Sequence, residues 1–319
     1  MHDERYSTTR CLITEKPIYF DGTIDGHTAL LKTPESSQKI AEGGLRLKGY
    51  FKSGCDEESP LITVITVVYN GGEHLEESIK HVIEQCYHNV EYIIVDGGSK
   101  DSTLQIIKKY EHAIDYWVSE PDGGIYDAMN KGINLATRSS WIIFIGADDL
   151  LIDLNSAASG VRSSPGSNCI VANVEGCHLN TGRVYPYKCW LPDKTRLEKD
   201  FLHFPLHHQG FLFKKEREVF YFNGQAGIHA DLDQMIKTIR NGKAAYIESV
   251  VSQYTTGGAS DDFSMRNVVS FFAVAKMNNL SFSKIILSSP LLFLRLLVKA
   301  VIGRRAMLFL RDRGMTSVR

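Results

Sequence analysis

Residues 61–68, LITVITVV, form an uninterrupted apolar and β-branched run that ends at Tyr69-Asn70-Gly71-Gly72. Such a run reads as a buried strand stopping in a loop. Between Glu73 and Cys86, apolar residues recur at Leu75, Ile79, Val82 and Ile83, which predicts a helix. Val90 to Val95 predicts a second strand closing at Asp96-Gly97-Gly98-Ser99, and Asp101 to Tyr110 a second helix. Tyr116-Trp117-Val118 is a third short strand. The loop Glu120-Pro121-Asp122-Gly123-Gly124, a helix from Tyr126 to Ala136 and a strand from Trp141 to Ile145 follow it. This alternation predicts an α/β fold, a mostly parallel twisted sheet with right-handed crossovers and helices on both faces. Ligands bind beyond the carboxyl ends of such strands. Asn70, Asp96, Asp122 and the pair Asp148-Asp149 sit at those ends.

Composition narrows the partners. The 319 residues are 43% hydrophobic and 23% charged, an ordinary globular balance. With 36 basic against 37 acidic side chains there is no global field to attract nucleic acid, and none is expected as a partner. Six cysteines (Cys11, Cys55, Cys86, Cys169, Cys177, Cys189) show no CxxC pair or zinc-like spacing and read as reduced thiols. The opening MHDERYSTTR lacks the apolar core of a secretory signal, and no run reaches the roughly 18 to 20 apolar residues of a membrane span. A cytoplasmic location is the expectation. The chain divides into an N-terminal extension (1–59) of loops and a hairpin, a core (60–258), and a basic, apolar C-terminal segment (259–319).

Within the core, the strand Trp141 to Ile145 ends at Gly146-Ala147-Asp148-Asp149, leaving two adjacent carboxylates at the sheet edge. Carboxylate oxygens suit hard divalent cations such as Mg2+ or Mn2+, which keep positions for phosphate oxygens. A helix N-cap before Leu150 would use the same residues. Asp96 likewise reads as turn chemistry, with Ser99 or Asp101 capping the next helix. Repetition favours a site. Carboxylates crowded at Asp96, Asp122 and Asp148-Asp149 are costly unless cations or ligand donors accompany them.

At this point the core resembles inverting family 2 glycosyltransferases of the GT-A fold, from about Pro60 to Ser260. Five segments carry the likeness in the family's order: TVITVVYN (63–70), EYIIVDGGSKDST (91–103), SEPDGGIYDAMNKG (119–132), GADD (146–149) and HADLD (229–233). The resemblance implies that Val68, Asn70 and Asp96 line the nucleoside pocket of a nucleotide-diphosphate sugar, with uridine as the expected base. Asp122 and Lys131 would lie near the donor. The family's metal-binding DxD motif falls on Gly146-Ala147-Asp148, with Gly146 in place of the first aspartate, so Asp148 and Asp149 are both candidate ligands for Mn2+ or Mg2+. Asp231, just before an amphipathic helix through Leu232, Met235, Ile236 and Ile239, matches the family's general base. Asp233 is the runner-up, and a plain N-cap is the other use of Asp231.

His203, His207, His208 and Gln209 cluster in HFPLHHQGFLF. Pro205 between His203 and His207 disfavours a helical histidine metal site, and the resemblance puts His208-Gln209 at the front of the acceptor side, with His208 near diphosphate or sugar. Gly257-Gly258 resembles the family's flexible segment after the catalytic helix, a lid or a plain linker. From Lys276 to Arg319 nine Lys or Arg residues accompany one acid, Asp312, and Ile285 to Leu310 alternates apolar blocks with basic residues. That pattern suits a helix in an anionic membrane interface, hence a peripheral location and a glycan or lipid-linked acceptor; packing against the core or a partner is the other use of the same apolar blocks. The rivals are a sugar nucleotidyltransferase, whose basic loop is missing from Tyr69-Asn70-Gly71-Gly72-Glu73, and a non-catalytic nucleotide-sugar-binding protein.

Overall fold

The computed structural model describes residues 4–17, 22–24, 27–54, 56–178, 181–195, 197–216, 220–256, 265–288, 290 and 293–294. Its centre is a ten-stranded sheet. In chain order the strands are β1 (Ala41–Gly43), β2 (Ile62–Val68), β3 (Val90–Asp96), β4 (Tyr116–Ser119), β5 (Trp141–Phe144), β6 (Leu150–Leu151), β7 (Cys169–His178), β8 (Val184–Tyr187), β9 (Phe211–Lys214) and β10 (Ala244–Thr256). Their spatial order is β6-β10-β7-β9-β5-β2-β3-β4-β1, with β8 paired to the far half of β7. The central strands β5, β2, β3 and β4 are mutually parallel, as the alternation predicts. β9 runs antiparallel to both β5 and β7 and so joins the two halves of the sheet.

Helices cover both faces because both faces of β2 and β3 are apolar. Ile65, Val67, Ile93 and Val95 point into one core with α3 (Ile125–Leu135) and α5 (Ala230–Asn241). Ile62, Val64, Tyr92 and Ile94 point into the other with α1 (Leu75–Ile83), α2 (Thr103–Tyr110) and α4 (Leu154–Ser163). Each fully buried isoleucine here contributes about 1.5–3 kcal/mol. α1 shows why its segment is helical. Leu75, Ile79, Val82 and Ile83 form its buried stripe, while Glu76 and Glu77 in the first turn and Lys80 and His81 in the last complement the helix dipole. α3 lies close on β2 because position 132 is glycine, where a Cβ would come within 2.6 Å of the Ile65 side chain.

The N-terminal extension is part of the same body. β1 pairs antiparallel with β4, Gly22–Ile24 and His27–Ala29 form the hairpin, and Leu12–Ile13 pairs with Phe51–Lys52. Arg46 and Glu91 form a buried ion pair at 2.5 Å. Two further helices, α6 (Met265–Met277) and α7 (Phe282–Ser288), follow β10. Gly257-Gly258 and most of the basic stretch to Arg319 lie outside the described residues. Among those described, no helix is long and apolar enough to cross a membrane, and Cys11, Cys86, Cys169, Cys177 and Cys189 are free thiols.

Candidate active site

The carboxyl ends of β2, β3 and β4 finish level, with Asp96 registered against both Val68 and Ser119. Asp96 is fully buried, a costly place for a carboxylate. Hydroxyl and amide donors compensate it: Ser119 Oγ at 2.5 Å, Ser99 N at 3.2 Å and Ser99 Oγ. Asn70 closes the same corner. It adopts the left-handed region at φ 52°, which asparagine tolerates better than most residues. Its N–H donates to Ser99 Oγ at 2.7 Å, and its Oδ1 accepts from Lys100 N at 2.9 Å. Gly97 N donates to Val68 O at 2.9 Å. Gly97 also lies so close to Asp122 that a Cβ there would be 2.6 Å from Asp122 Oδ2. Val68, Asn70, Asp96 and Asp122 therefore share one corner. Lys131 does not reach these carboxylates. It pairs with Glu120 at 2.9 Å and Asp127 at 3.5 Å and donates to Pro121 O, tying down the loop that carries Asp122.

The second corner lies at the end of β5, beside the first, since Gly71 packs between Val68 and Ala147. Asp148 and Asp149 differ sharply there. Asp148 is exposed, and among the described residues nothing donates to its carboxylate. Asp149 is 4% exposed and accepts from Gly146 N and Thr255 N, each at 3.0 Å, and from Gln209 Nε2. Burial, with the neighbouring Asp148 charge, pushes its carboxyl up to about 7 against those donors. Neither residue caps a helix. α4 begins later and is capped by Asp153, whose Oδ1 accepts from Ser156 N at 3.1 Å.

Asp231 lies in the first turn of α5, where His229 is the N-cap residue. Its carboxylate is 26% exposed and faces His208, with Oδ2 3.6 Å from Nδ1. The Tyr126 hydroxyl, from the start of α3, donates to Ile228 O at 2.8 Å and to Asp231 Oδ1 at 3.3 Å. Burial lowers the His208 imidazole below its ordinary value, against the pull of Asp231. Asp233, the runner-up base, is fully buried and committed to Lys237 at 2.6 Å and Asn278 at 2.7 Å, so no acceptor can reach it.

One turn links the corners. His208 contacts Asp231 and its neighbour Gln209 contacts Asp149, while Ser252 Oγ fixes the turn by donating to Gln209 O at 2.7 Å. Tyr126, Ser119 and Thr255 are the residues the sequence reading misses. Ser119, the lone hydroxyl closing Tyr116-Trp117-Val118, carries a readable signal. Tyr126 and Thr255 act through contacts more than 100 positions away and carry none.

A divalent cation fits this donor set in one way. Among the described residues no three His, Cys, Asp or Glu side chains form a metal cluster, but an ion held mainly by diphosphate oxygens needs only one or two protein carboxylates. Asp148 is the carboxylate open to it.

Residues 63–220 match the family model described as glycosyl transferase family 2. Over 76 residues the chain is 43% identical to an uncharacterized glycosyltransferase of Mycobacterium tuberculosis, covering 24% of this chain and 29% of that relative, so the match spans under a third of the relative's length. The mannosyltransferase PcManGT of Pyrobaculum calidifontis, solved in complex with GDP-Man and Mn2+, aligns at TM-score 0.52 and 20% identity over 75% of this chain and 72% of its own. GalNAc-T7, solved with UDP, GalNAc and Mn2+, aligns at TM-score 0.54 and 16% identity over 77% of this chain and 52% of its own. At such identities the likeness is one of fold, the GT-A arrangement.

Proposed function

Through residues 63–220 this chain belongs to glycosyl transferase family 2, and from that premise we propose that it moves a sugar from a nucleotide diphosphate to an acceptor hydroxyl with inversion at the anomeric carbon. The observation that carries the reading is the His208-Gln209 turn, which holds Asp231 and Asp149 to one scaffold.

In this mechanism Asp231 accepts the proton of the acceptor hydroxyl as its oxygen bonds to the anomeric carbon. The bond from that carbon to the diphosphate oxygen breaks on the opposite face, and the nucleotide diphosphate leaves. The Tyr126 hydroxyl and the His208 ring orient the Asp231 carboxylate. Asp148 would hold a Mn2+ or Mg2+ ion, which supplies charge neutralisation to the departing diphosphate. Asp149, saturated with donors, fixes the Asp148 loop, so the two adjacent acids have separate tasks. Val68 and Asn70 line the nucleoside pocket and Asp96 backs it from a buried position through Ser99 and Ser119, with Asp122 beside the donor. Lys131 acts through the Glu120 loop.

The donor is a UDP-sugar in this proposal, although GalNAc-T7 was solved with UDP and PcManGT with GDP-Man. The core 60–258 is the catalytic domain. Within the segment 259–319, Val274, Ala275, Leu280 and Ile285 pack into the core, and in this proposal the basic, apolar remainder rests on an anionic membrane surface at the cytoplasmic face and brings a lipid-linked or surface-glycan acceptor within reach. Calorimetric titration with UDP and with GDP, each with Mn2+ and then with chelator, tests the donor half. Binding of UDP that chelator abolishes is expected. Binding of GDP alone overturns the base assignment, and binding of neither overturns the reading. NMR of the first-formed product showing retained configuration would exclude Asp231 as the base of a direct displacement.

A further inference from the structure

An aromatic row leads away from Asp231 along the second half of the sheet. His208 stacks on His207 with ring centroids 5.1 Å apart, and His207 stacks on Tyr254 at 4.2 Å and 23°. Tyr254 meets Tyr185 at 6.3 Å, edge to face, with their hydroxyls 3.3 Å apart. Tyr187 stands edge-on to both His207 and Tyr254, at 5.6 and 6.4 Å.

The row is built by register. Gly176 on β7 is paired to Tyr185 on one side and Tyr254 on the other. A Cβ at Gly176 would collide with the Tyr185 ring. Glycine at this position therefore lets two tyrosines from flanking strands meet across β7. Tyr185 and Tyr187, two residues apart on β8, face the same side. The Tyr185, Tyr187 and Tyr254 side chains are only part-buried. His207 Nδ1 is buried with no hydrogen-bond partner among the described residues.

A part-buried aromatic surface with hydroxyl and imidazole groups along it suits a ligand with apolar C–H faces and a hydroxyl rim, which describes pyranose rings. Its proximal end lies at the residue argued to take the acceptor's proton. Resting on the glycosyltransferase reading above, we propose that the row is an acceptor subsite for a saccharide of at least two rings, the reacting ring at Asp231 and the preceding rings along Tyr254 and Tyr185, with His207, stacked between His208 and Tyr254, holding the row together. A donor role is disfavoured because the nucleoside corner at Asp96 is formed by β2, β3 and β4, on the other side of β5 in the sheet.

The test is saturation-transfer NMR with the full chain, using methyl glucoside, methyl galactoside, methyl mannoside and methyl N-acetylglucosaminide against cellobiose, lactose, mannobiose and chitobiose. Wild type is expected to bind at least one disaccharide about tenfold tighter than its methyl monosaccharide, a difference near 1.4 kcal/mol. Tyr254→Ala and Tyr185→Ala remove that difference, whereas Tyr254→Phe, which keeps the ring, retains most of it. Calorimetric UDP and GDP titrations of every variant check that it is folded. The subsite is overturned if wild type binds no saccharide of the panel, binds one ring as well as two, or if both alanine variants keep the disaccharide preference. Loss of all nucleotide binding by wild type is a separate result and overturns the glycosyltransferase reading instead.

Discussion

At the amino ends of the parallel strands, Glu91 accepts from Arg46 at 2.5 Å, Thr63 Oγ1 at 2.7 Å, and Thr137 N and Oγ1 at 2.9 and 2.5 Å. Arg46 in turn donates to Leu135 O, and Lys215 Nζ to Ala136 O at 2.6 Å. At the carboxyl ends, Asp148 is open, while Gln209 Oε1, His207 Nδ1 and His229 Nδ1 are buried without hydrogen-bond partners among the described residues. Both ends are built from polar and charged side chains. Buried atoms without hydrogen-bond partners among the described residues occur at the amino end too, at Asn89 Oδ1 and Asp115 Oδ1. What differs is the state of the carboxylates: Glu91 is closed off by donors on both oxygens and serves structure, whereas Asp148 is open to a ligand.

Mutations that separate stability from turnover test this contrast. Asp231→Asn is expected to slow transfer by about 10²–10⁴-fold while the urea midpoint and nucleotide affinity hold. Unchanged turnover would remove Asp231 from the chemistry. At the closed end, Glu91→Ala strands Arg46 and should lower unfolding free energy by about 3–5 kcal/mol in denaturant titration. Its activity per folded molecule should match wild type, and a selective loss of turnover would erase the distinction between the ends. Gln209→Leu frees Asp149 from one donor, and metal-dependent nucleotide affinity should fall about 10–100-fold by calorimetry.

Lys215 provides a pH signature of the closed end. Burial lowers its ammonium to about 7, whereas an unfolded lysine keeps its proton to about 10.4. The unfolded chain therefore binds more protons above pH 7, and this residue makes stability rise with pH, by up to about 2 kcal/mol between pH 7 and 9. Lys215→Met should flatten that rise in urea midpoints measured at pH 7, 8 and 9, and an unaltered slope assigns it to other groups. The smallest effect belongs to Lys131→Ala, whose ion pairs are worth at most about 1 kcal/mol. Thermal melts should barely move, and a loss of donor affinity beyond tenfold would mean that Lys131 touches the donor directly.

The elements with the strongest periodicity are legible from residues alone. LITVITVV and VEYIIVD are apolar on both faces and so declare buried strands, and the Leu75-Ile79-Val82-Ile83 stripe declares α1. Strand ends then bring Asn70, Asp96 and Asp148-Asp149 to one rim by topology. The division of labour between Asp148 and Asp149 is not legible, because it depends on Gln209 and Thr255, 60 and 106 positions away. β9 illustrates the same limit. Phe211-Leu212-Phe213 reads as apolar, yet its place between β5 and β7 follows from tertiary pairing. The extension escapes sequence reading for a related reason, since Arg46 sits in an aperiodic stretch and its role appears only once Glu91 is beside it.

The outermost strands of the large sheet, β1 and β6, have three and two residues, and β8 carries Pro186. Short borders and a proline leave few consecutive amides and carbonyls able to zip onto a neighbouring molecule. The outermost strands β1 and β6 thus offer a neighbouring molecule too short a margin for cross-β stacking onto them.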